Sequence, residues 1–487
     1  MSELSKQAGI LSLSEFFRFF IKTLIGIALA RLLSPADLGT YRQLFLIYTT
    51  LSAVLLLGIP QSLLYFLPKA KTSDEQFRII RRTLFLITLL SVGCAAGMYL
   101  FRGIVAEKFN NPQLLRLMPL FALYPLCMFC TQIFSSILLG LKEAVKAATF
   151  TVFAIFSDLV LILGTAVLTR NLYYIVLGVL AAAFIQLSYA LYRLYRLQAL
   201  NQKLELAGLH SQLSYALPLG LASLVGMLSI QLDKIMVSGF FSPEQFAVFS
   251  VGAMELPLIG ILANSVNAVI LPSLSSSSKS ESGQLYSAAV RKNALIIFPL
   301  AMLFYLLAEP LMVFLYGIAY SEAADYFKIY LLALPLRVAT YGIIFQALGK
   351  TKIILLNSSF ALLANAILNY FLIRKMGMQG AALATVLVTW LSVTVYLIIM
   401  KSVLKLKLKA FFPWPKLGKT LLVTLICGLL AYPLANTGSV PIIKLILGSA
   451  FFFLTFLIIG KLTGVILDYD LQLVFGFLKD GLKRIKK

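Results

Sequence analysis

The sequence predicts an all-α protein with about fourteen membrane-spanning helices. Three observations predict it: the composition, the length of the apolar runs, and the way basic residues alternate between the loops that join them. Of 487 residues, 60% are apolar and only 13% charged, where a soluble domain carries roughly 45–50% and about 25%. The mean hydropathy of +0.93 says the same. No soluble core hides that much apolar surface, so lipid must be the solvent for most of the chain.

A spanning helix needs about 20 mostly apolar residues. Runs of that kind lie near 10–33, 43–67, 82–101, 114–139, 147–168 and 172–192. A second set lies near 213–240, 246–272, 293–316, 327–348, 353–373 and 379–400, and two more near 419–435 and 440–466. The expected organisation is a six-helix lobe over 1–197, a cytoplasmic linker over 198–212 and a second six-helix lobe over 213–402. Two further helices over 403–467 and a basic cytoplasmic tail over 468–487 complete it. The first run contains the A-x-A pattern Ala28-Leu29-Ala30. It is too long for a signal-peptide core of roughly 7–15 residues and carries Glu15, Arg18 and Lys22, so it reads as a retained helix.

The net charge of +23 would suggest nucleic acid in a soluble protein. Here the cations punctuate apolar runs without forming one patch, which implies orientation by basic cytoplasmic loops and contact with anionic lipid. One set of loops is rich in them, from Lys69–Arg82 through Lys142, Lys146, Arg193 and Arg196 to Lys350, Lys352 and the cluster between Lys401 and Lys419. The opposite loops are poorer. Both termini are therefore expected inside, which an even number of spans also requires. Cys127 and Cys130 spell C-x-x-C, but no second pair and no neighbouring histidine completes a zinc site, and the four cysteines read as small buried hydrophobes. The segment from Asp468 to Lys487 is too charged to span; an interfacial helix on anionic lipid fits it, and a plain solvated tail is the alternative. The Ser-rich run from Ser273 to Ser282 reads as a flexible loop.

The two six-helix sets repeat one another. Leu32-Leu33-Ser34-Pro35 matches Phe240-Phe241-Ser242-Pro243, 208 residues on. Leu67-Pro68 matches Leu271-Pro272, Pro125 matches Pro335, and Leu139-Gly140-Leu141-Lys142 matches Leu348-Gly349-Lys350, all at separations between 204 and 210. Six is even, so the halves enter the membrane in the same direction and are expected as parallel repeats about an axis along the membrane normal. Duplications of this kind place a substrate site between lobes that rock.

The segment Ala30-Arg31-Leu32-Leu33-Ser34-Pro35-Ala36-Asp37-Leu38-Gly39-Thr40-Tyr41 resembles the first-helix exit of polysaccharide-biosynthesis flippases. These include the O-antigen type, within the multidrug/oligosaccharidyl-lipid/polysaccharide exporter superfamily. Leu217-Pro218-Leu219-Gly220 through Asp233-Lys234 to Phe241-Ser242-Pro243, and Leu271-Pro272-Ser273-Leu274, resemble the same family. Ala247 and Phe249 depart from the Gly and Tyr often found there. The resemblance implies a V-shaped two-lobed exporter fold in the bacterial inner membrane. It also implies an undecaprenyl-diphosphate-linked oligosaccharide as cargo.

An ionised side chain at mid-bilayer costs about 2.5–3.5 kcal/mol on insertion scales, so intramembrane charges are candidate functional groups. Glu15, Arg18 and Lys22 fall three and four apart on one helix face. Glu15 can neutralise only one of the two cations, which leaves that face net positive and suited to a diphosphate. Snorkelling to the headgroups is the alternative for both cations. Lys234 and Arg337 complete the expected substrate-binding set. Asp158, Asp233, Glu255 and Glu309 are expected as charge partners or ion-coupling groups, with Asp158 or Glu309 weighed as a partner for Arg337. Asn264 and Asn267 are expected to add polar lining. Asn365 and Asn369 are expected to hydrogen-bond between helices.

The expected function is a flippase for a polyprenyl-diphosphate-linked O-antigen, capsule or exopolysaccharide unit. Its partners are that anionic glycan lipid, membrane lipids and, as a candidate, a polysaccharide polymerase or chain-length regulator. No cofactor, metal or nucleic acid is called for. The rivals are a cation-coupled multidrug exporter of the same superfamily and a membrane glycan polymerase or glycosyltransferase. The last needs a substantial outer loop with catalytic carboxylates, whereas the expected outer loops are short and hold little beyond Glu107, Glu322 and Asp325.

Overall fold

The structure, a computed structural model, describes residues 3–199, 203–254, 274, 279–435 and 440–470. Every regular element among them is helical. Without water, a backbone inside lipid must satisfy its own hydrogen bonds, and a helix does this within one segment. The described residues form two compact units, Met1–Val248 and Phe249–Lys487.

The first unit begins with α1 (Glu3–Leu32), α2 (Pro35–Leu56), α3 (Ile59–Phe66) and α4 (Ser73–Leu100). Short helices α5 (Arg102–Lys108) and α6 (Gln113–Phe121) lead into α7 (Leu123–Gly140). Then come α8 (Ala144–Asp158), a π-helical turn over Leu159–Leu163, α9 (Gly164–Thr169) and α10 (Leu172–Arg196). The unit ends with α11 (Leu209–Phe240) and α12 (Pro243–Gly252), the latter reaching the boundary. The second unit holds α13 (Lys279–Leu306), α14 (Ala308–Tyr316), α15 (Ala323–Leu331), α16 (Ile343–Ala347), α17 (Thr351–Met376), α18 (Met378–Leu404), α19 (Leu408–Phe411), α20 (Trp414–Ala435) and α21 (Pro441–Leu462).

Among the described residues, ten helices are long and apolar enough to cross a membrane, or twelve if two bent pairs each count as one span. The bends are 44° between α2 and α3 and 42° in the predicted tenth span. The first falls at Leu57-Gly58, where Gly58 has φ +75° and cannot continue a right-handed helix. The second falls at Leu332-Ala333, just before a 3₁₀ segment over Leu334–Val338 in whose first turn Pro335 removes a helical donor. Helix α1 is long enough, but Glu15, Arg18 and Lys22 interrupt its apolar character. The predicted eighth span starts within α12. Its remainder lies outside the described residues, as do Glu255, Asn264, Asn267, Leu271-Pro272 and the tail from 471 onward.

Helix α11 packs on α2 and α3 within the first unit. Gly220 lies against the Leu57 backbone and Gly58 against the Ala216 carbonyl, so closely that a Cβ on either would collide with main chain. Polar pins hold both ends of α11. At one end Arg82, only 7% exposed, donates through Nε to Gln212 Oε1 at 3.1 Å and through Nη1 to the Ala207 carbonyl. Gln212 Nε2 donates in turn to Ser62 Oγ (3.0 Å) and Thr83 Oγ1 (2.9 Å). At the other end Gln43 Nε2 donates to Ser238 Oγ at 2.8 Å, and Asn110 Nδ2 to the Gly239 carbonyl at 3.1 Å. Ser34 and Ser242, the paired positions of the sequence repeat, both accept at a helix start, from the N–H groups of Asp37 (3.2 Å) and Gln245 (3.3 Å).

In the second unit α13, α20 and α21 enclose an apolar core that includes Leu303, Leu307, Cys427 and Phe452. Gly428 admits Met302 and Gly448 admits Leu307, the small-residue packing expected between helices in lipid. Asn365 and Asn369 depart from expectation. Asn369 Nδ2 donates to Asn365 Oδ1 (2.5 Å) within α17. The bond between helices is made about two turns earlier, by Asn357 Nδ2 to Ser392 Oγ at 2.6 Å. Residues four apart on one helix meet each other before they meet a neighbour.

Candidate charged site in the first unit

The site is built on α1, α8 and α10. Helix α1 packs along α8 and the π turn that follows it, which brings the middle of α1 opposite Asp158. Helix α10 approaches the same turn closely, because Gly178 leaves room for Thr165 and the Leu161 carbonyl. Two turns further along α10, Gln186 reaches the end of α8. Its carboxamide, on a side chain 2% exposed, donates to Asp158 Oδ1 at 2.8 Å and to Ser157 Oγ at 3.1 Å. Asp158 is thus the last residue before a π turn, a deformation that recurs at functional sites.

On α1, Glu15 and Arg18 form an ion pair in which both side chains are about half exposed. One turn on, Lys22 keeps accessible surface and feels the Asp158 carboxylate across the helix interface. The phenols of Tyr41 on α2 and Tyr124 at the start of α7 lie within electrostatic reach of the same carboxylate. They belong to an aromatic group in which Tyr124 stacks on Phe121 with centroids 5.0 Å apart and meets Tyr48 at 4.8 Å. Gln132 donates to the Tyr48 hydroxyl at 2.8 Å.

The structure therefore brings Glu15, Arg18, Lys22 and Asp158 together. The positive face predicted for α1 alone is balanced once Asp158 is added, since two cations meet two carboxylates. Gln186, Tyr41 and Tyr124 join the site without having been singled out. Gln186 carried a signal, as a carboxamide inside the apolar run 172–192.

Asp233 is 3% exposed on α11, and its Oδ1 accepts from the Lys234 backbone N–H at 2.7 Å; the Lys234 side chain is half-buried. Arg337, exposed on the 3₁₀ segment, and Glu309, exposed on α14, belong to the second unit.

The family model described as polysaccharide biosynthesis protein matches residues 28–325, more than half of the chain. No curated protein sequence matches. Among solved structures, the lipid II flippase MurJ in an inward closed conformation superposes with a TM-score of 0.74 at 16% identity, covering 93% of this chain and 98% of MurJ. An inward-facing multidrug resistance MATE family transporter of the MOP superfamily gives 0.66 at 15% identity, over 80% and 94%. A MOP superfamily transporter from Pyrococcus furiosus, described by a reversed polarity of its binding pocket, gives 0.56 at 16%, over 82% and 97%. At such identities the likeness concerns the fold. The chain is a multi-pass membrane protein with the fold of these transporters, and it belongs to the polysaccharide biosynthesis protein family.

Proposed function

We propose that the protein is a flippase for a polyprenyl-diphosphate-linked oligosaccharide, an O-antigen, capsule or exopolysaccharide unit. It would carry this cargo across the bacterial inner membrane by alternating access of two lobes, with both termini in the cytoplasm. The observation that carries the reading is the gathering of Arg18, Lys22 and Asp158 where α1 packs along α8. An ammonium on a spanning helix is costly without a counter-charge. Asp158 supplies that charge until an anionic ligand takes its place.

In this reading the diphosphate meets Arg18 and Lys22 and displaces Asp158, which remains anchored by Gln186. Freed of its cation, Asp158 takes up a proton or a small cation, coupling a second ion to cargo binding. Lys234 and Arg337 offer further cationic contacts along the route. Outward movement of negative charge is itself favoured by an inside-negative potential, at about 2.3 kcal/mol per charge per 100 mV.

The test is replacement of Arg18 and Lys22 by Gln in cells that depend on this gene. Folded protein, though reduced in amount, should remain in the membrane, while per folded molecule polyprenyl-linked oligosaccharide accumulates on the cytoplasmic face and surface polysaccharide is lost. Normal export by that variant would refute the reading. A second reading, cation-coupled export of drugs, is favoured by the Asp158 carboxylate inside the first unit. It requires that gene loss alter efflux of cationic dyes and leave the lipid-linked glycans undisturbed.

A further inference from the structure

The second unit contains a cavity of about 540 Å³ that the flippase reading does not use. It lies where α20 ends and α21 begins, against α13 to α15, at the end of the helix pair opposite the Lys401–Lys419 cluster. The charge distribution predicts that this end faces away from the cytoplasm. Lys328, Lys444 and Glu309 supply its charges, Tyr305 and Tyr432 its phenols, and Met302 part of its apolar floor.

The lining has a definite charge preference. Two ammonium groups face one carboxylate, which leaves one positive charge over. Lys328 shares its charge with Asp325 at 3.9 Å, and Asp325 is mostly exposed, where such a pair is weak. Lys444 makes no ion pair among the described residues. The volume falls in the range of about 300–1,000 Å³ typical of small-ligand sites and is too small for an oligosaccharide.

The surroundings specify what kind of anion can arrive. Leu429, which also lines the cavity, is 73% exposed, and Leu430, Ile446 and Leu447 continue an exposed apolar face along α20 and α21. Tyrosines at the rim suit a headgroup boundary, where one end of the ring is apolar and the other polar. A ligand at this place has its charged part among the lysines and its apolar part on the helix faces. With Glu309 counted, the lining has one positive charge over, which a singly charged headgroup neutralises and a diphosphate exceeds.

We propose that this cavity binds the phosphodiester headgroup of a glycerophospholipid, with its acyl chains on the exposed faces of α20 and α21. The test is native mass spectrometry of the full-length protein during graded removal of lipid and detergent. One glycerophospholipid should remain bound to the wild type after the others have left. Its retention should fall roughly tenfold for each lysine removed in Lys328→Gln and Lys444→Gln. It should recover in Lys328→Arg and Lys444→Arg and be unaffected by Lys419→Gln at the opposite end. Glu309→Gln, at an exposed position outside the packed core, should strengthen it and serves if the lysine variants do not fold. Retention unchanged by these substitutions would overturn the proposal. So would a retained species with the mass of a polyprenyl diphosphate, which would make the cavity part of the cargo route.

Discussion

Gln186 donates a 2.8 Å hydrogen bond to Asp158, and this contact sets where the carboxylate stands relative to Lys22. The donor comes from α10, the acceptor from the end of α8 and the cation from α1. Three helices thus meet at one polar point. The arrangement makes separate predictions for folding and for transport.

Lys22→Gln leaves the Asp158 charge without its cation, and Asp158→Asn leaves Lys22 without its anion. Each single substitution should reduce folded yield, because removing one of two opposed charges on packed membrane helices costs more than removing both. The double variant Lys22→Gln/Asp158→Asn should regain much of that yield and still fail to export. A double-mutant cycle on thermal unfolding in detergent, run beside an export assay, checks both halves.

Gln186→Ala removes three contacts of one carboxamide, to Asp158, Ser157 and the Ala154 carbonyl. Polar contacts between membrane helices contribute about 0.6 kcal/mol on average and up to roughly 1.7. The expected loss is therefore modest, at most about 2 kcal/mol, while export should fall more than stability does. Gln186→Glu should be worse than Gln186→Ala on both counts, since it sets a second carboxylate against Asp158.

Gly220→Ala should disrupt the first unit. Its Cβ would stand 2.1 Å from the Leu57 carbonyl carbon, and neither main chain can yield without parting α11 from α2. Overpacking of this kind costs about 1–3 kcal/mol and occasionally more. Gly226→Ala, on the same helix with nothing within 4 Å, is the matched control. It should be neutral or stabilise by up to about 1 kcal/mol. Melting temperatures of the two variants decide the point.

Asp470 accepts both Arg291 nitrogens, at 3.2 and 2.9 Å, and the Leu467 N–H at 3.1 Å. Burial alone would push its carboxyl upward. The hydrogen bonds from Arg291 and Leu467, with the charges of Arg291 and Lys292, outweigh burial and hold it below the usual carboxylate range. A carboxyl lowered on folding stabilises the folded state above its unfolded value, near pH 3.9, and loses that contribution as pH falls through the lowered one. Proteolysis of the segment after α21 should thus be unchanged between pH 8 and 5 and rise only in stronger acid. Asp470→Asn should expose the segment already at pH 7.

Much of the fold is legible in the hydropathy of the chain. The runs at 172–192, 213–240 and 379–400 lie within α10, α11 and α18, because an apolar run of that length in lipid has one way to satisfy its backbone. The bend at Leu57-Gly58 and the split of 114–139 into α6 and α7 were not legible. Both depend on what packs against the break, here Ala216 and Gly220 on α11 in the first case. Arg82 read as one more loop cation, yet it is buried and holds the linker, which only its neighbours Ala207 and Gln212 reveal.

The sequence by itself determined that the chain is helical and membrane-spanning, and that α1 carries charges lipid would not tolerate unaided. These are properties of single segments in a solvent, and a segment contains all that is needed to read them. Only the tertiary structure decided that Asp158, 136 residues beyond Lys22, is a carboxylate within electrostatic reach of it, with Gln186 to hold it. That choice rests on which helix faces meet and how closely a glycine such as Gly178 lets them approach. Such geometry belongs to pairs of helices, and no single helix encodes it.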